Sequence, residues 1–261
     1  MARKRHDAGM VAGFTLAELV AAVAIMVVIM MLMTRIFSGS MTAYNRGTRI
    51  SDSDAAARAA LDMIGRELMQ AANDPLIGMK VTSGVTTVLG VGNGDQLEFV
   101  SLMQTPSWTN SDTCREAVQI KYYLADMLDM KSTTMPNRFR LVRGATEKFN
   151  ATSYAAYSTN NWWTFTPWQN TKGNQTMAEN VCCFKVWLYD ASLTILPDTY
   201  NLASQRPLLA DLYIELIGQN DAERIAAMES ASAGAGRVEA DRVARRLTKR
   251  VYFANRNGYR F

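Results

Sequence analysis

The segment Gly13-Phe14-Thr15-Leu16-Ala17-Glu18-Leu19 leads into fifteen consecutive apolar residues, LVAAVAIMVVIMMLM, at positions 19–33. Glu18 is the one charged residue between positions 14 and 33. An apolar stretch of this length reaches the ~20 residues that an α-helix needs to cross the hydrocarbon core of a bilayer. No Ala-x-Ala site follows directly at its end, as one would after the shorter apolar run of a secretory signal peptide. The sequence therefore predicts a retained membrane-spanning helix over residues 14–36.

The basic residues around this helix predict its orientation. Arg3, Lys4 and Arg5 precede the apolar run, whereas Arg35 is the first basic residue after it. Because positive charge is enriched on the cytoplasmic side of membrane proteins, we expect residues 1–13 to be a cytoplasmic leader. The chain after about Arg35 then lies on the other side of the membrane.

Glu18 is unusual within this helix, since a carboxylate in a membrane helix costs a few kcal/mol and usually has a partner or a function. It lies near the helix start, where an acid also suits the helix dipole and can stay hydrated at the level of the headgroups. The residues alone leave both interpretations open.

A short basic leader, Gly13, the run Phe14-Thr15-Leu16, Glu18 and an apolar helix together resemble the N-terminal motif of type IV prepilins and type II secretion pseudopilins. The resemblance implies that a membrane-bound prepilin peptidase cleaves between Gly13 and Phe14 and that Phe14 is then N-methylated. It also implies that Glu18 neutralises the terminal amine of an adjacent subunit. Phe14, Leu16, Glu18 and Leu19 are then the subunit-assembly residues.

The physical chemistry agrees with that implication. An amine and a carboxylate that both enter an apolar helical bundle are tolerated only as a pair, because an isolated charge there is strongly penalised. Such a pair would also set the axial register between subunits.

Beyond the membrane we expect helix to continue over residues 37–74, since Leu61, Ile64, Leu68 and Ala72 recur on one face and Asn73-Asp74-Pro75 ends the pattern. Residues 75–261 then form a globular head. The predicted fold class is α+β, with the long helix packed on an antiparallel β-sheet, and it resembles J-type minor pseudopilins and PilW-like minor pilins. Alternating or β-rich runs predict these strands: Gln96–Val100, Val118–Leu124, Arg138–Arg143, Phe184–Tyr189, Leu212–Leu216 and Arg250–Phe253. A helix is predicted from Val238 to Leu247.

The residues give little basis for catalysis. The one histidine, His6, lies in the predicted leader, so the mature chain cannot build a Ser-His or Cys-His pair. We predict no enzyme activity, no catalytic residues, no cofactor and no metal site. Asn93-Gly94-Asp95 and Asp198 suggest calcium ligands only weakly, because EF-hand spacing is absent and Asp before a strand is a common turn residue.

Three cysteines leave two readings open. Cys114 could form a disulfide with Cys182 or Cys183 in an oxidising compartment, or the cysteines could be buried thiols that act as small apolar residues.

Two further segments could contact partners. The stretch from Tyr154 to Trp168 crowds aromatic residues with Asn, Ser and Thr, so it could stack on sugars or bases, anchor a neighbouring subunit, or pack on its own sheet. The C-terminal region carries eight basic residues against two acids from Arg237 onward. Arg242, Arg245 and Arg246 there are candidate contacts for nucleic acid or an acidic partner, or members of a solvated helix face.

We therefore expect a structural filament subunit in the bacterial cytoplasmic membrane, with the head periplasmic or extracellular, and its size suggests a minor subunit. The expected partners are other pilin or pseudopilin subunits, prepilin peptidase, membrane lipids and assembly platform proteins. The alternatives are a single-pass membrane-anchored ligand-binding protein and a DNA-binding minor pilin.

Overall fold

The computed structural model describes residues 15–71, 79–86, 93–104, 115–128, 134–145, 174–197 and 207–253. Its helices are α1 (Leu16–Met69), α2 (Gln219–Ala231) and α3 (Ala235–Val243). Its strands are β1 (Lys80–Thr86), β2 (Asn93–Gln104), β3 (Arg115–Leu128), β4 (Thr134–Ala145), β5 (Gln175–Tyr189), β6 (Leu209–Leu216) and β7 (Arg245–Tyr252). The boundary between two compact units falls between Ile50 and Ser51, within α1.

In the first unit, α1 contains the predicted apolar helix. All of its residues up to Ile50 are exposed, and its most apolar window has a mean hydropathy of 2.7. By length and composition α1 is able to cross a membrane.

In the second unit, the remainder of α1 covers one side of a β-sheet. Leu61, Ile64 and Leu68 are buried in the main core, which confirms the stripe predicted from their spacing. The helix ends at Met69, five residues before the predicted end at residue 74, and Ala71 instead forms a β-bridge with Ser101 of β2. Ala72, the last residue of the predicted stripe, lies outside the described residues.

The strands follow chain order in the sheet, and each pairs antiparallel with the next. A parallel contact between Gly94 of β2 and Phe184 of β5 also joins two distant strands, so that β2, β3, β4 and β5 close into a four-stranded barrel. The α+β class with a long N-terminal helix is therefore confirmed, whereas the barrel was not predicted. Glycine at position 94 leaves room for the side chain of Leu124 of β3, since a Cβ there would lie 2.9 Å from Leu124 Cδ1.

The helices α2 and α3 form a hairpin between β6 and β7. They bury a second, smaller core, whose members are Cys182, Cys183, Ile217, Ala222, Ile225 and Ala240. The sequence analysis did not predict α2 or β1.

The predicted helix from Val238 to Leu247 is wrong at both ends, since α3 spans Ala235–Val243 and β7 begins at Arg245. The physical reason is long-range pairing: residues 245–252 form a complete antiparallel ladder with β6, from Leu216 opposite Arg245 to Leu209 opposite Tyr252. Paired backbone groups of this kind outweigh the local helix propensity of a segment rich in Ala and Arg.

Candidate functional site at the start of the N-terminal helix

The first turn of α1 is closed by a reciprocal cap between Thr15 and Glu18. The Thr15 backbone N–H and hydroxyl donate to Oε2 of Glu18 at 2.9 and 3.0 Å, and the Glu18 N–H donates to the Thr15 hydroxyl at 3.3 Å. This is a capping box, in which the N-cap hydroxyl and an acid three residues later satisfy N–H groups that the helix leaves unpaired. The spacing Thr-x-x-Glu was readable in the sequence, but its capping role was missed.

The cap gives Glu18 a role within its own helix. Two hydrogen bonds to one oxygen leave acceptor capacity on the carboxylate, because an ionised carboxylate can accept about four. Glu18 is exposed, as are the flanking assembly candidates Leu16 and Leu19. Gly13 and Phe14, between which cleavage is predicted, lie outside the described residues.

The arginines predicted to contact nucleic acid are all engaged within the chain. Arg242 donates to Glu239 at 2.9 Å, Arg246 donates to Asp241 at 2.6 Å and to Glu215 at 3.2 Å, and Arg245 pairs with Asp54 of α1. The hydrogen bond from Arg242 lowers the pKa of Glu239 and raises that of Arg242. The three arginines therefore contact acids of the same molecule instead of forming an uncompensated basic patch.

Two basic residues of β7, Arg245 and Lys249, pair with acids of α1 and fix the register of the strand against the helix. Asp54 and Asp62 are eight residues apart, ~12 Å along a helix that rises 1.5 Å per residue. Their partners Arg245 and Lys249 are four residues apart on β7, ~13 Å at a strand rise of about 3.3 Å. The spacings match when helix and strand run in the same direction. A Cβ at Gly65, three residues after Asp62, would lie 3.0 Å from Lys249 Cε, so glycine permits this close approach.

A buried acid also fastens α1 to the barrel. Glu67 is 2% exposed, and it accepts hydrogen bonds from Arg143 of β4 and from the Tyr122 hydroxyl of β3. Its backbone carbonyl accepts from the Ser101 hydroxyl of β2 at 3.2 Å. Burial and the charge of Glu67 both raise the pKa of Tyr122, which keeps the phenol protonated as a donor. The sequence analysis missed this cluster.

Cys182 and Cys183 are both buried in the smaller core. Burial raises the pKa of the Cys182 thiol, and Glu215 acts in the same direction, with its Oε2 atom 3.8 Å from Sγ. A thiol held in its protonated form is a poor nucleophile and a poor metal ligand. Cys114, the alternative disulfide partner, lies outside the described residues.

Asp95, a weak calcium candidate, holds two strands together. Its carboxylate accepts from Lys185 Nζ and from the backbone N–H of Val186, each at 2.9 Å, next to the point where β2 meets β5. Asp198 lies outside the described residues. Among the residues that the structure describes, three or more His, Cys, Asp or Glu side chains do not gather at any point that could hold a metal ion.

A cavity of about 210 Å³ lies between β1, β5 and the turn after β5. Val81, Leu188, Leu196 and Pro197 line its apolar walls, and Ser83 and Lys185 add polar groups. The aromatic stretch from Tyr154 to Trp168 lies outside the described residues, so its predicted contacts stay predictions. No protein family, curated protein or solved structure matches the chain.

Proposed function

We propose that this chain is a structural subunit of a type IV pilus-like or type II secretion pseudopilus filament, most consistent by size with a minor subunit. In this proposal the head is pilin-like, prepilin peptidase removes residues 1–13, and Phe14 becomes the N-methylated terminus. The subunit is held N-in in the bacterial cytoplasmic membrane until assembly platform proteins transfer it into a filament.

The observation that carries the proposal is the division of α1 into an exposed part and a partly buried part. Its residues are exposed up to Ile50, whereas in the second unit one face is buried, beginning with Ser53, Ala57, Leu61 and Ile64. A helix with this division combines an apolar segment that suits lipid with a segment that belongs to the folded head. The same apolar surface serves first as an anchor in lipid and then as an interface with neighbouring helices.

Glu18 supports the proposal chemically. A carboxylate at the start of an apolar helix is retained at a cost, and the capping box accounts for part of its hydrogen bonding only. Its remaining acceptor capacity suits the amine of a neighbouring Phe14, since cleavage creates that positive charge at the same level of the helix.

The ion pairs of Arg242, Arg245 and Arg246 favour the filament over the DNA-binding alternative. Each of these charges is already paired with an acid of the same chain (Glu239, Asp54 and Asp241, respectively), so the three arginines are less available for phosphate contacts.

The proposal is tested by replacing Gly13 in the full-length chain produced in its host. Gly13→Leu should block cleavage, since a side chain hinders entry of the extended backbone into the peptidase, and should abolish incorporation into filaments. Gly9→Leu is the matched control, because Gly9 lies in the same predicted leader but away from the cut. A chain with Gly13→Leu that functions uncut would support the membrane-anchored ligand-binding alternative instead.

A further inference from the structure

The part of α1 that follows the apolar run, residues 34–50, carries its charges on one face. At ~100° per residue, Arg35, Arg46 and Arg49 project within about 60° of one another. No Asp or Glu occurs between Glu18 and Asp52. The charged side chains of residues 34–50 are therefore all positive, and Asp52, three residues after Arg49, is the first acid that follows.

The opposite face of the same segment is apolar. Phe37, Met41 and Tyr44 also project within about 60° of one another, and they are 67%, 46% and 70% exposed. Thr48 lies on this face too, but its hydroxyl donates to the Tyr44 carbonyl at 2.9 Å, so it needs no water. A helix with large apolar side chains on one face and arginines on the other is typical of a segment that lies along a membrane surface.

In a helix that stands upright in the membrane, Arg46 and Arg49 would lie too far from the bilayer to contact lipid phosphates. At 1.5 Å per residue, Arg49 would lie ~24 Å beyond Met33, the last residue of the apolar run. The headgroup region is only about 5–8 Å thick on each side, and at physiological ionic strength electrostatic attraction is screened over ~8 Å. Arg35 alone would reach lipid phosphates, while Met41 and Tyr44 would stand in water.

We propose that, in the membrane-anchored chain, residues 41–50 bind along the surface of an anionic phospholipid bilayer. Met41 and Tyr44 enter the boundary between headgroups and acyl chains, and Arg46 and Arg49 contact lipid phosphates. Lipid is the occupant because the segment continues directly from the membrane-spanning residues and because its charge is opposite to that of acidic headgroups. The inference rests on the membrane anchor and is independent of filament assembly.

This arrangement requires the helix to bend between the span and the surface segment. Ser38-Gly39-Ser40 provides the position, because sharp kinks occur at Gly/Ser pairs. Apart from the neighbouring backbone of the helix itself, no atom lies within 4 Å of where a Cβ would be at Gly39 or at Gly47. Alanine therefore fits at either position without a clash, and Gly39→Ala stiffens the bend while Gly47→Ala serves as its matched control.

The experiment places a nitroxide at position 41 of the full-length chain, as Met41→Cys with Cys114→Ser, since Cys182 and Cys183 are buried. Its collisions with oxygen, which concentrates in lipid, and with a water-soluble nickel chelate are measured in phosphatidylcholine bilayers with and without phosphatidylglycerol. We expect a lipid-exposed label in the anionic bilayers. Neutralising both Arg46 and Arg49 to Gln should shift the equilibrium toward the aqueous state roughly 25-fold, about fivefold for each arginine.

Arg58→Gln is the control for charge, because Arg58 is an exposed arginine of α1 in the second unit, and it should leave the label unchanged. A label at position 41 that is equally water-exposed in both bilayers would overturn the inference. Protection that does not depend on lipid charge but increases with protein concentration would overturn it as well, and would assign this face to a protein neighbour. N-terminal cleavage is read by mass in the same samples, so failure of the lipid contact is distinguished from failure of the proposed processing.

Discussion

Two nitrogen atoms of Arg143, Nε and Nη2, lie 2.8 Å from Oε1 of Glu67, within a part of the second unit where the acid is almost completely buried. The pair joins α1 to β4 across 76 residues of sequence, and Tyr122 adds a third element through Oε2. The part of α1 in the second unit is thereby tied to the barrel by charge as well as by packing.

Removing one member of this pair should cost more than removing both. Arg143→Met should lower the free energy of unfolding by about 3–5 kcal/mol, because Glu67 is then left as a buried carboxylate without its cation. Arg143→Met combined with Glu67→Leu should recover part of that loss. Denaturant unfolding of the detergent-solubilised chain measures both variants, and a double variant less stable than the single one would contradict the interpretation.

The pH dependence of stability should reveal the contact between β6 and β7. Arg250 donates to both oxygens of Asp211 at 2.7 Å, and this hydrogen bonding lowers the pKa of Asp211. A lowered pKa in the folded state contributes stability above the ordinary Asp value of about 3.9, and that stability is lost as the pH falls through the folded pKa. Arg250→Gln should therefore unfold at lower denaturant than wild type at pH 7, and the two midpoints should converge as the pH falls below the ordinary Asp value and through the lowered pKa of Asp211. A constant difference across this range would argue against the pair.

Leu193 offers a substitution that should stabilise the protein. Its φ angle of 61° is left-handed, a conformation that disfavours branched side chains, and it is 63% exposed in the turn after β5. Leu193→Asn should raise the free energy of unfolding by about 0.5–1 kcal/mol, since Asn tolerates this backbone conformation better. Ile195→Asn in the same turn is the control, because Ile195 is exposed but is not among the residues with positive φ, and it should show no gain.

The basic C-terminal region should not bind DNA through the three predicted arginines. Arg242, Arg245 and Arg246 are engaged with acids of the chain. Their joint replacement by Gln should therefore lower the free energy of unfolding, and any binding of DNA should be the same in the triple variant as in wild type. A mobility shift with duplex DNA at two salt concentrations measures this. A shift present in wild type, weakened by salt and lost in the triple variant would restore the nucleic-acid interpretation.

The sequence predicted those parts of the fold that depend on local pattern. The apolar run and the spacing of Leu61, Ile64 and Leu68 define α1, because a helix repeats its faces every 3.6 residues. The central residues of strands β2 to β6 were also predicted from local pattern, namely alternating or β-rich runs. The cap between Thr15 and Glu18 was equally local and could have been predicted from the Thr-x-x-Glu spacing.

The remainder depends on contacts that no local pattern encodes. The barrel closes where Gly94 meets Phe184, and the Asp95 carboxylate replaces a strand partner for Val186, ninety-one residues away. The first residues of β7 have a sequence that favours helix, and they form a strand because they pair with β6. Arg245 and Arg246 likewise pair with acids that are distant in sequence, Asp54 and Glu215. Arg242 pairs with Glu239 of its own helix, a local contact that the sequence analysis missed.

The most direct test of the filament proposal is the mass of the N-terminal peptide released from the protein purified from its native host. If prepilin peptidase processes the chain, the peptide that ends at Arg35 after tryptic digestion begins at Phe14 and carries one added methyl group on its amine. A peptide that retains residues of the leader, from a protein that remains functional when Glu18 is replaced by Gln, would contradict the proposal.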